Sequence, residues 1–141
     1  MLFRSLESED EDIYEILTVN MLGAMQLTAE YAKDCQKNNK TGAIFHIGSI
    51  GSRKVMTNCS AYSASKAGLA HYIHCAGYEL KSIGMKVIGI DPPNLLGTPM
   101  TQKVQDGLIN NRGMSLEQVN KIYADAADPF IVGKVISRLV L

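Results

Sequence analysis

Apolar residues recur every three or four positions along the first quarter of the chain, from Ile13 to Cys35. This spacing is typical of an amphipathic helix, and it predicts one long helix over about residues 9–38. Ser8 followed three positions later by Glu11 predicts a capping box at the start of this helix. One face of the helix is therefore expected to be buried.

Two short apolar runs further along predict buried β-strands, at about residues 43–48 and 86–91. A loop rich in glycine and serine follows the first run, and a second helical stripe then covers about residues 61–83. Gly84 is placed to end that helix. The two strands are thus expected to be connected through a helix.

The last third of the chain is less regular. Residues 94–113 are expected to form a loop with one short helix, and Ser115 with Gln118 predicts a second capping box and a helix to about Ala127. The pattern over residues 130–141 fits either a helix or a strand.

The alternation of helix and strand predicts an α/β fold, in which right-handed crossovers connect parallel strands. Two strands are too few for a free-standing sheet of this kind. The sequence therefore predicts a single partial domain over residues 1–141, part of a doubly wound, Rossmann-like parallel sheet that is truncated at the N-terminus and at the C-terminus.

Composition excludes several function classes. The chain has 141 residues, with 14 basic and 14 acidic side chains, so no electrostatic attraction to nucleic acid or to an anionic membrane is expected. No apolar stretch approaches the roughly 18 residues of a membrane span. Three cysteines, an odd number, are a poor disulfide framework. The expectation is a reduced, cytoplasmic location.

Candidate chemistry begins with Tyr62 and Lys66, which are four positions apart and therefore project from one face of a helix. A nearby cation favours the deprotonated form of a phenol. Tyr62 is thus a candidate general acid/base, and Lys66 is the residue that would tune it. At average usage, such a pair also arises by chance about one time in three, so the pair alone is not diagnostic.

Ser49 and Asn20 make a chance arrangement less plausible. Ser49 follows the first predicted strand, at the carboxyl end of the sheet where α/β proteins place their sites. Requiring it at its distance from Tyr62 lowers the chance expectation to about 2–3%. Asn20 lies on the apolar stripe of the first helix, where a buried amide needs hydrogen-bond partners. A polar residue at the edge of the stripe is the alternative interpretation of Asn20.

In this order and spacing, these residues resemble the short-chain dehydrogenase/reductase family. The resemblance is carried by residues 19–23 (VNMLG), 42–49 (GAIFHIGS) and 61–67 (AYSASKA). The matching order and spacing extend over about residues 12–100. The combination is far more specific than any one of its motifs.

The resemblance implies a hydride transfer between NAD or NADP and a small carbonyl or alcohol substrate. Tyr62 would be the general acid/base, and the Ser49 hydroxyl would hold the substrate oxygen. Lys66 would favour the tyrosinate and bind the nicotinamide ribose, together with Tyr62. Asn20 would hold a water molecule that relays protons.

Residues 90–100 resemble the family's Pro-Gly-x-x-x-Thr loop, which meets the nicotinamide carboxamide. The resemblance thereby implies Pro92, Pro93 and Thr98 as cofactor-binding residues. Pro93 stands where the family has glycine, and Thr98 comes one residue late. Because proline fixes φ near −65° and has no N–H, the path of this loop is expected to differ from that of the family.

The family's glycine-rich turn, which holds the pyrophosphate at a helix N-terminus, has no counterpart in residues 1–12. Two functions of different classes are therefore left open. The chain is an oxidoreductase, or it is a catalytically inactive remnant that serves as a partner-binding or structural module. Binding of a nicotinamide cofactor would distinguish them.

Two other features concern metals and partners. His71, His74 and Cys75 lie close together on the second helix, but too few ligands converge there, and no metal site is expected. The outer faces of the helices over residues 9–38 and 61–83 are poor in charge, and members of the resembled family pair through these two helices. A homo-oligomer formed through them is expected.

Overall fold

Two parallel strands with helices on one face form the first of two compact units of the chain, Met1–Asp91. The computed structural model describes residues 8–56 and 58–140. The elements of this unit are α1 (Asp10–Leu17), a π-helical turn (Thr18–Leu22), α2 (Gly23–Lys37), β1 (Gly42–Ile47), a 3₁₀ turn (Ile50–Ser52), α3 (Ser60–Glu79), a second 3₁₀ turn (Leu80–Ile83) and β2 (Met85–Ile90).

The two strands pair in parallel, with a register that runs from Gly42 opposite Met85 to Ile47 opposite Ile90. The predicted α/β class with a parallel sheet is confirmed. Because both strands end at the same edge, the segments that follow Ile47 and Ile90 begin side by side.

His46 of β1 identifies the face of the sheet that the helices cover. Its Nε2 lies 2.8 Å from Thr28 Oγ1 of α2. Its ring also meets the ring of Tyr72, from α3, edge-on, with 6.4 Å between the centroids. Both helices therefore lie on the same face, and their buried side chains form the core of this unit together with Met85 of β2.

The predicted first helix is observed as three consecutive helical segments, because the backbone widens to a π-helix at Thr18–Leu22. In a π-helix each N–H bonds to a carbonyl five residues back instead of four. At the N-terminal end of α1, Glu9 has the extended backbone of an N-cap, and the Glu9 side chain makes no capping hydrogen bond. The structure places the N-cap at Glu9, one residue after Ser8, and the capping box of Ser8 and Glu11 stays a prediction.

Gly84 ends the second 3₁₀ turn, as predicted, with a left-handed φ of 74°. Its N–H donates to the Lys81 carbonyl oxygen at 3.0 Å. A Cβ built on Gly84 would lie 2.7 Å from Thr41 Cγ2. The position therefore needs glycine for its backbone conformation as well as for the space beside it.

We expect Gly84→Ala to lower the free energy of unfolding by about 1–3 kcal/mol, because alanine is strained at positive φ and would press on Thr41. Urea unfolding measures the change. Gly107→Ala is the matched control: a Cβ there meets no atom within 4 Å. In the interior of a helix, that exchange should stabilise by about 0.5–1 kcal/mol. Equal stability of the wild type and the Gly84 variant would contradict the expectation.

The second compact unit, Pro92–Leu141, contains the helices α4 (Pro99–Arg112), α5 (Leu116–Ile122) and α6 (Pro129–Val140). The sequence predicted one short helix within residues 94–113, but α4 fills most of that range. Thr98 caps it and Pro99 occupies its first turn, while Gly113 ends it with a φ of 63°. These local signals outweighed the weak apolar periodicity.

The remaining expectations for this unit concern helix starts and type. The capping box of Ser115 and Gln118 is confirmed, with both of its hydrogen bonds present. The ambiguous pattern over residues 130–141 forms helix α6 as far as the structure describes it. Among residues 8–56 and 58–140, no helix is both long enough and apolar enough to cross a membrane.

Candidate active site

Ser49 comes two residues after the last residue of β1 and caps the 3₁₀ turn that follows. Its hydroxyl oxygen accepts a hydrogen bond from the Gly51 N–H at 3.1 Å, and its carbonyl oxygen accepts one from the Ser52 hydroxyl at 2.7 Å. The hydroxyl acts as an acceptor here, so its own hydrogen can be directed to a substrate oxygen.

Gly51 lies where this turn meets the first turn of α3. A Cβ built on Gly51 would be 3.4 Å from the Ser49 hydroxyl oxygen and 3.5 Å from that of Ser63. Ser49 and the start of α3 therefore border the same small space. The Ser63 hydroxyl is buried there with no recorded hydrogen-bond partner in the described part of the chain.

Tyr62 and Lys66 lie one turn apart on α3, as their spacing predicted. The Lys66 ammonium is 5.9 Å from the centre of the Tyr62 ring. It donates a hydrogen bond to the carbonyl oxygen of Ile47, the last residue of β1, at 2.9 Å. The cation is therefore fixed at the carboxyl end of the strand that leads to Ser49.

Asn20 lies in the π-helical turn and reaches α3 through Ser65. Its Nδ2 donates to the Ser65 hydroxyl at 3.2 Å, and that hydroxyl donates to the Tyr62 carbonyl oxygen at 2.7 Å. Ser65, in the middle of this short chain of hydrogen bonds, is 0% exposed. It attaches the π turn to the helical turn that carries Tyr62, and single π turns occur often at functional sites.

Tyr62 also borders a shallow recess. The other residues that line it are Cys59 and Ala61, next to Tyr62 in the sequence, and Ser8, Asp12, Ile13 and Ile16 at the start of the chain's first helix. The lining of this recess is therefore mixed, with apolar side chains beside the polar Ser8 and Asp12.

The charge of Lys66 is subject to two opposing influences. Burial lowers the pKa of Lys66, since it disfavours the ammonium form, while the nearby Asp91 carboxylate raises it. Burial has the larger effect, and the pKa of Lys66 is lowered overall. Asp91 is itself paired with Arg53, at 2.9 Å between Oδ2 and Nη2.

His46 is held neutral beneath this region. Its side chain is 7% exposed, and burial, followed by the positive charge of Lys66, lowers the pKa of His46. The Thr28 hydroxyl donates its hydrogen to the Ala24 carbonyl oxygen at 2.9 Å. It must therefore accept from His46 Nε2, which assigns the Nε2–H tautomer.

We expect the chain to lose stability as the pH falls below about 6.5, the ordinary pKa of an unfolded histidine. Because the pKa of His46 is lowered in the folded state, the unfolded chain takes up the proton first. The contribution of His46 is complete above that pH and disappears as the pH falls through the lowered folded value. Urea unfolding from about pH 8 to about pH 5 should therefore show a weaker pH dependence for His46→Gln than for the exposed control His71→Gln. Identical slopes would show that His46 is not responsible.

The residues implied for the nicotinamide carboxamide belong to the second unit. Pro92 and Pro93 precede α4 without regular structure, and Pro93 is exposed. Thr98 Oγ1 accepts from the Thr101 N–H at 3.0 Å and lies 2.7 Å from Thr101 Oγ1. This hydroxyl therefore caps a helix, and its part in cofactor binding remains a prediction, as do those of the two prolines.

Sequence reasoning missed Ser65, Arg53 and Asp91. Ser65 has a usable signal, because it lies on the buried side of the predicted helix three positions after Tyr62, where a hydroxyl needs a partner. Arg53 and Asp91 are 38 positions apart, and only the tertiary fold brings them together.

Comparison with known proteins points to one family. The human (3R)-3-hydroxyacyl-CoA dehydrogenase is 30% identical over 105 residues, which is 74% of this chain and 40% of the relative. The human 3-oxoacyl-[acyl-carrier-protein] reductase is 27% identical over 139 residues, 93% of this chain and 57% of the relative. Carbonyl reductase family member 4 of Xenopus laevis is 27% identical over 137 residues, with the same shares of the two chains.

Solved structures of low sequence identity share the fold. Sorbitol-6-phosphate 2-dehydrogenase from Erwinia amylovora matches with a TM-score of 0.87 at 24% identity, over 96% of this chain and 56% of its own. A variant of actinorhodin polyketide ketoreductase, solved with NADPH, also has a TM-score of 0.87 at 24% identity, over 99% of this chain and 56% of its own.

The chain spans about half the length of the relatives and structures that it matches. The profile of the short chain dehydrogenase family matches residues 2–109, more than half of the chain. The predicted resemblance is therefore confirmed, and this chain belongs to the short-chain dehydrogenase/reductase family.

Proposed function

We propose that this chain forms the catalytic part of an NAD(P)-dependent oxidoreductase that interconverts a carbonyl compound and an alcohol. The observation that carries the proposal is the position of Lys66. Its ammonium donates a hydrogen bond to the carbonyl oxygen of Ile47, the last residue of β1. Ile47 lies two residues before Ser49, and the ammonium also lies beside the ring of Tyr62, one turn away on α3. A phenol, a cation and a hydroxyl in this arrangement serve proton transfer to an oxygen atom.

The residues present fit the nicotinamide half of a dinucleotide. The Lys66 ammonium has three N–H groups, and the recorded bond to Ile47 uses one of them. The other two can bind the hydroxyls of a ribose, for which the Tyr62 hydroxyl is a further partner. When bound, the nicotinamide supplies or accepts the hydride.

In the reductive direction, Tyr62 would donate its phenolic proton to the substrate oxygen as negative charge develops there, and in the oxidative direction it would remove that proton. The Ser49 hydroxyl would donate a hydrogen bond to the same oxygen and so fix its position. Lys66 would stabilise the tyrosinate left behind. The bond from Asn20 to Ser65 supports an arrangement in which the π turn supplies groups that hold a relaying water molecule near Lys66.

The names of the relatives suggest which substrates to test. A hydroxyacyl-CoA dehydrogenase and an oxoacyl-[acyl-carrier-protein] reductase are among them, so 3-oxoacyl thioesters form the first part of a panel, followed by simple ketones and aldehydes. The test measures oxidation of NADH or NADPH by the protein that contains this chain, with a cofactor-binding half in the same polypeptide or supplied as a separate fragment. Turnover of at least one carbonyl supports the proposal, while cofactor binding with no turnover across the panel would overturn it.

Exposed apolar side chains on the first helices support self-association. They are Tyr14 (71% exposed), Val19 (67%), Leu22 (41%), Leu27 (68%) and Tyr31 (38%). On α3, Tyr78 is 86% exposed. Monomeric soluble proteins rarely expose large contiguous apolar patches. We propose that these side chains form such a patch and that a homo-oligomer buries it, through the outer faces of the helices within residues 9–38 and 61–83.

Sedimentation of the chain at micromolar concentration is expected to show a species of two or more chains. Leu27→Lys should shift the population toward the monomer, because it places a charge in the proposed interface. Leu116→Lys, at another exposed leucine (66%), is the control and should leave the association unchanged. A stable monomer for the wild-type chain would overturn the proposed association.

A non-catalytic role is the second candidate, favoured by the same exposed side chains. If this chain is a remnant that serves as a partner-binding module, these faces would bind another protein in place of a second copy. The two functions differ in one measurable property, because a remnant does not need to bind NAD(H) or NADP(H).

A further inference from the structure

Asp91 directly follows the last residue of β2, and its carboxylate lies against the end of β1. Oδ1 of Asp91 occupies the space in which a Cβ on Gly48 would lie. At the same place, the Gly48 N–H donates to the Ile90 carbonyl oxygen at 2.7 Å, which continues the pairing of the two strands by one residue. The carboxylate is therefore held over the junction of the two strand ends, and a side chain at position 48 would displace it from there.

Arg53 holds the carboxylate from the other side, with 2.9 Å between Nη2 and Oδ2 of Asp91. Arg53 follows the 3₁₀ turn that Ser49 caps, so the pair connects the Ser49 segment with the end of β2. The Asp91 side chain is 25% exposed and the Arg53 side chain 72%. The carboxylate is thus the more buried partner, and an exposed arginine alone is a modest compensation for it.

Lys66 approaches the same junction from α3. Its ammonium donates to the carbonyl oxygen of Ile47, the residue that precedes Gly48. A cation and a carboxylate therefore lie on the last residues of β1, brought there by two different elements. The Asp91 carboxylate raises the pKa of Lys66, against the larger effect of burial, which lowers it.

We propose that Asp91, held in place by Arg53, is the counter-charge of the Lys66 ammonium and a positioning residue of the candidate active site. It keeps a half-buried lysine charged over a wider pH range than burial alone would allow. The proposal rests on the proposed function for its consequence, because a neutral Lys66 would neither stabilise a tyrosinate nor bind a ribose as a cation.

In the part of the chain that the structure describes, other ionisable side chains also lie near this pair. The Tyr62 ring faces Lys66 from the same helix, and the positive charge of Lys66 acts on His46 of β1. His74 and Asp91 both line an open cavity of about 360 Å³. Asp91 is the charged group that raises the pKa of Lys66, so removing the charge of Asp91 should lower that pKa.

The test measures the pKa of Lys66 in the full chain, without cofactor or substrate, from the pH dependence of its acetylation read by mass spectrometry. The exposed Lys33 serves as the internal reference. Asp91→Asn should lower the pKa of Lys66, because the favourable charge is lost. Arg53→Gln should raise it, because the carboxylate is no longer neutralised. Lys54→Gln, which removes a neighbouring exposed cation, should leave it unchanged.

The directions of these shifts in the pKa of Lys66 distinguish an electrostatic role of Asp91 from a structural one. Both Asp91→Asn and Arg53→Gln break the ion pair, so a purely structural link would move Lys66 in the same direction in both variants. In the Asp91→Asn background, Arg53→Gln should lose most of its effect, since it acts through Asp91. Asp91→Glu, which keeps the charge, should restore the wild-type behaviour of Lys66, and circular dichroism checks that each variant is folded.

The proposal would be overturned if Asp91→Asn and Arg53→Gln shifted the pKa of Lys66 in the same direction, or if Asp91→Asn did not shift it. The measurement involves no turnover, so its outcome is independent of whether the chain proves to be part of an active enzyme. In an active protein, Asp91→Asn should also move the alkaline limit of the pH–rate profile to lower pH, while the affinity for the substrate changes little.

Discussion

Tyr62→Phe is expected to lower turnover by about 10²–10⁴-fold, because it removes the hydroxyl that would exchange a proton with the substrate oxygen. The ring remains, with the Lys66 ammonium beside it. Affinity for NAD(H) or NADP(H) should fall by no more than about tenfold, the effect of losing one neutral hydrogen bond to the ribose, so the loss of turnover is the larger effect. Steady-state kinetics and cofactor titration of the protein that contains this chain measure both quantities.

Tyr78→Phe is the matched control for this prediction. It removes the same hydroxyl from the same helix, but at a side chain that is 86% exposed, and turnover should be unchanged. Near-normal turnover of the Tyr62 variant would show that another group transfers the proton, and the role proposed for Tyr62 would be wrong.

Leu69→Ala is expected to lower the free energy of unfolding by about 2–5 kcal/mol, since it leaves a cavity in the core beneath the candidate site. Leu69 is 2% exposed and has the largest fully buried side chain among the residues that the structure describes. It lies one turn beyond Ser65 on the buried side of α3. A loss of this size is a large part of the roughly 5–15 kcal/mol that stabilises a typical domain.

Urea unfolding measures the loss, with Leu116→Ala as the control. Leu116 is 66% exposed, and its truncation should change the stability by less than about 0.5 kcal/mol. If Leu69→Ala cost no more than the control, α3 would not be packed on the sheet as described, and the positions of Tyr62 and Lys66 would have to be revised.

Local features of the site could be predicted from the sequence because local geometry determines them. Tyr62 and Lys66 share a face since four residues make about one helical turn. Gly84 ends its helix because glycine adopts a left-handed backbone at little cost. The pairing of two strands with a helix between them follows from the alternation of apolar patterns.

Features that depend on the tertiary fold could not be predicted. The π-helical turn at Asn20 leaves the apolar spacing almost unchanged, so the pattern predicted one continuous helix. The bond from Asn20 to Ser65 joins residues 45 positions apart. The pair of Arg53 and Asp91 depends on the meeting of two loops, and the sequence indicated Asp91 only as part of a strand end.

Transfer of deuterium from the nicotinamide to the product tests directly whether this chain carries a hydride-transfer site. The protein that contains it, with its cofactor-binding half, is given a carbonyl substrate from the panel and NADH or NADPH in which both hydrogens on C4 of the nicotinamide are deuterium. A hydride-transfer site should give an alcohol that carries the label on its carbinol carbon. The wild type and Tyr78→Phe should form this alcohol, and Tyr62→Phe should form far less of it. Unlabelled product, or no product when the cofactor is bound, would contradict the claim that the chain carries this site.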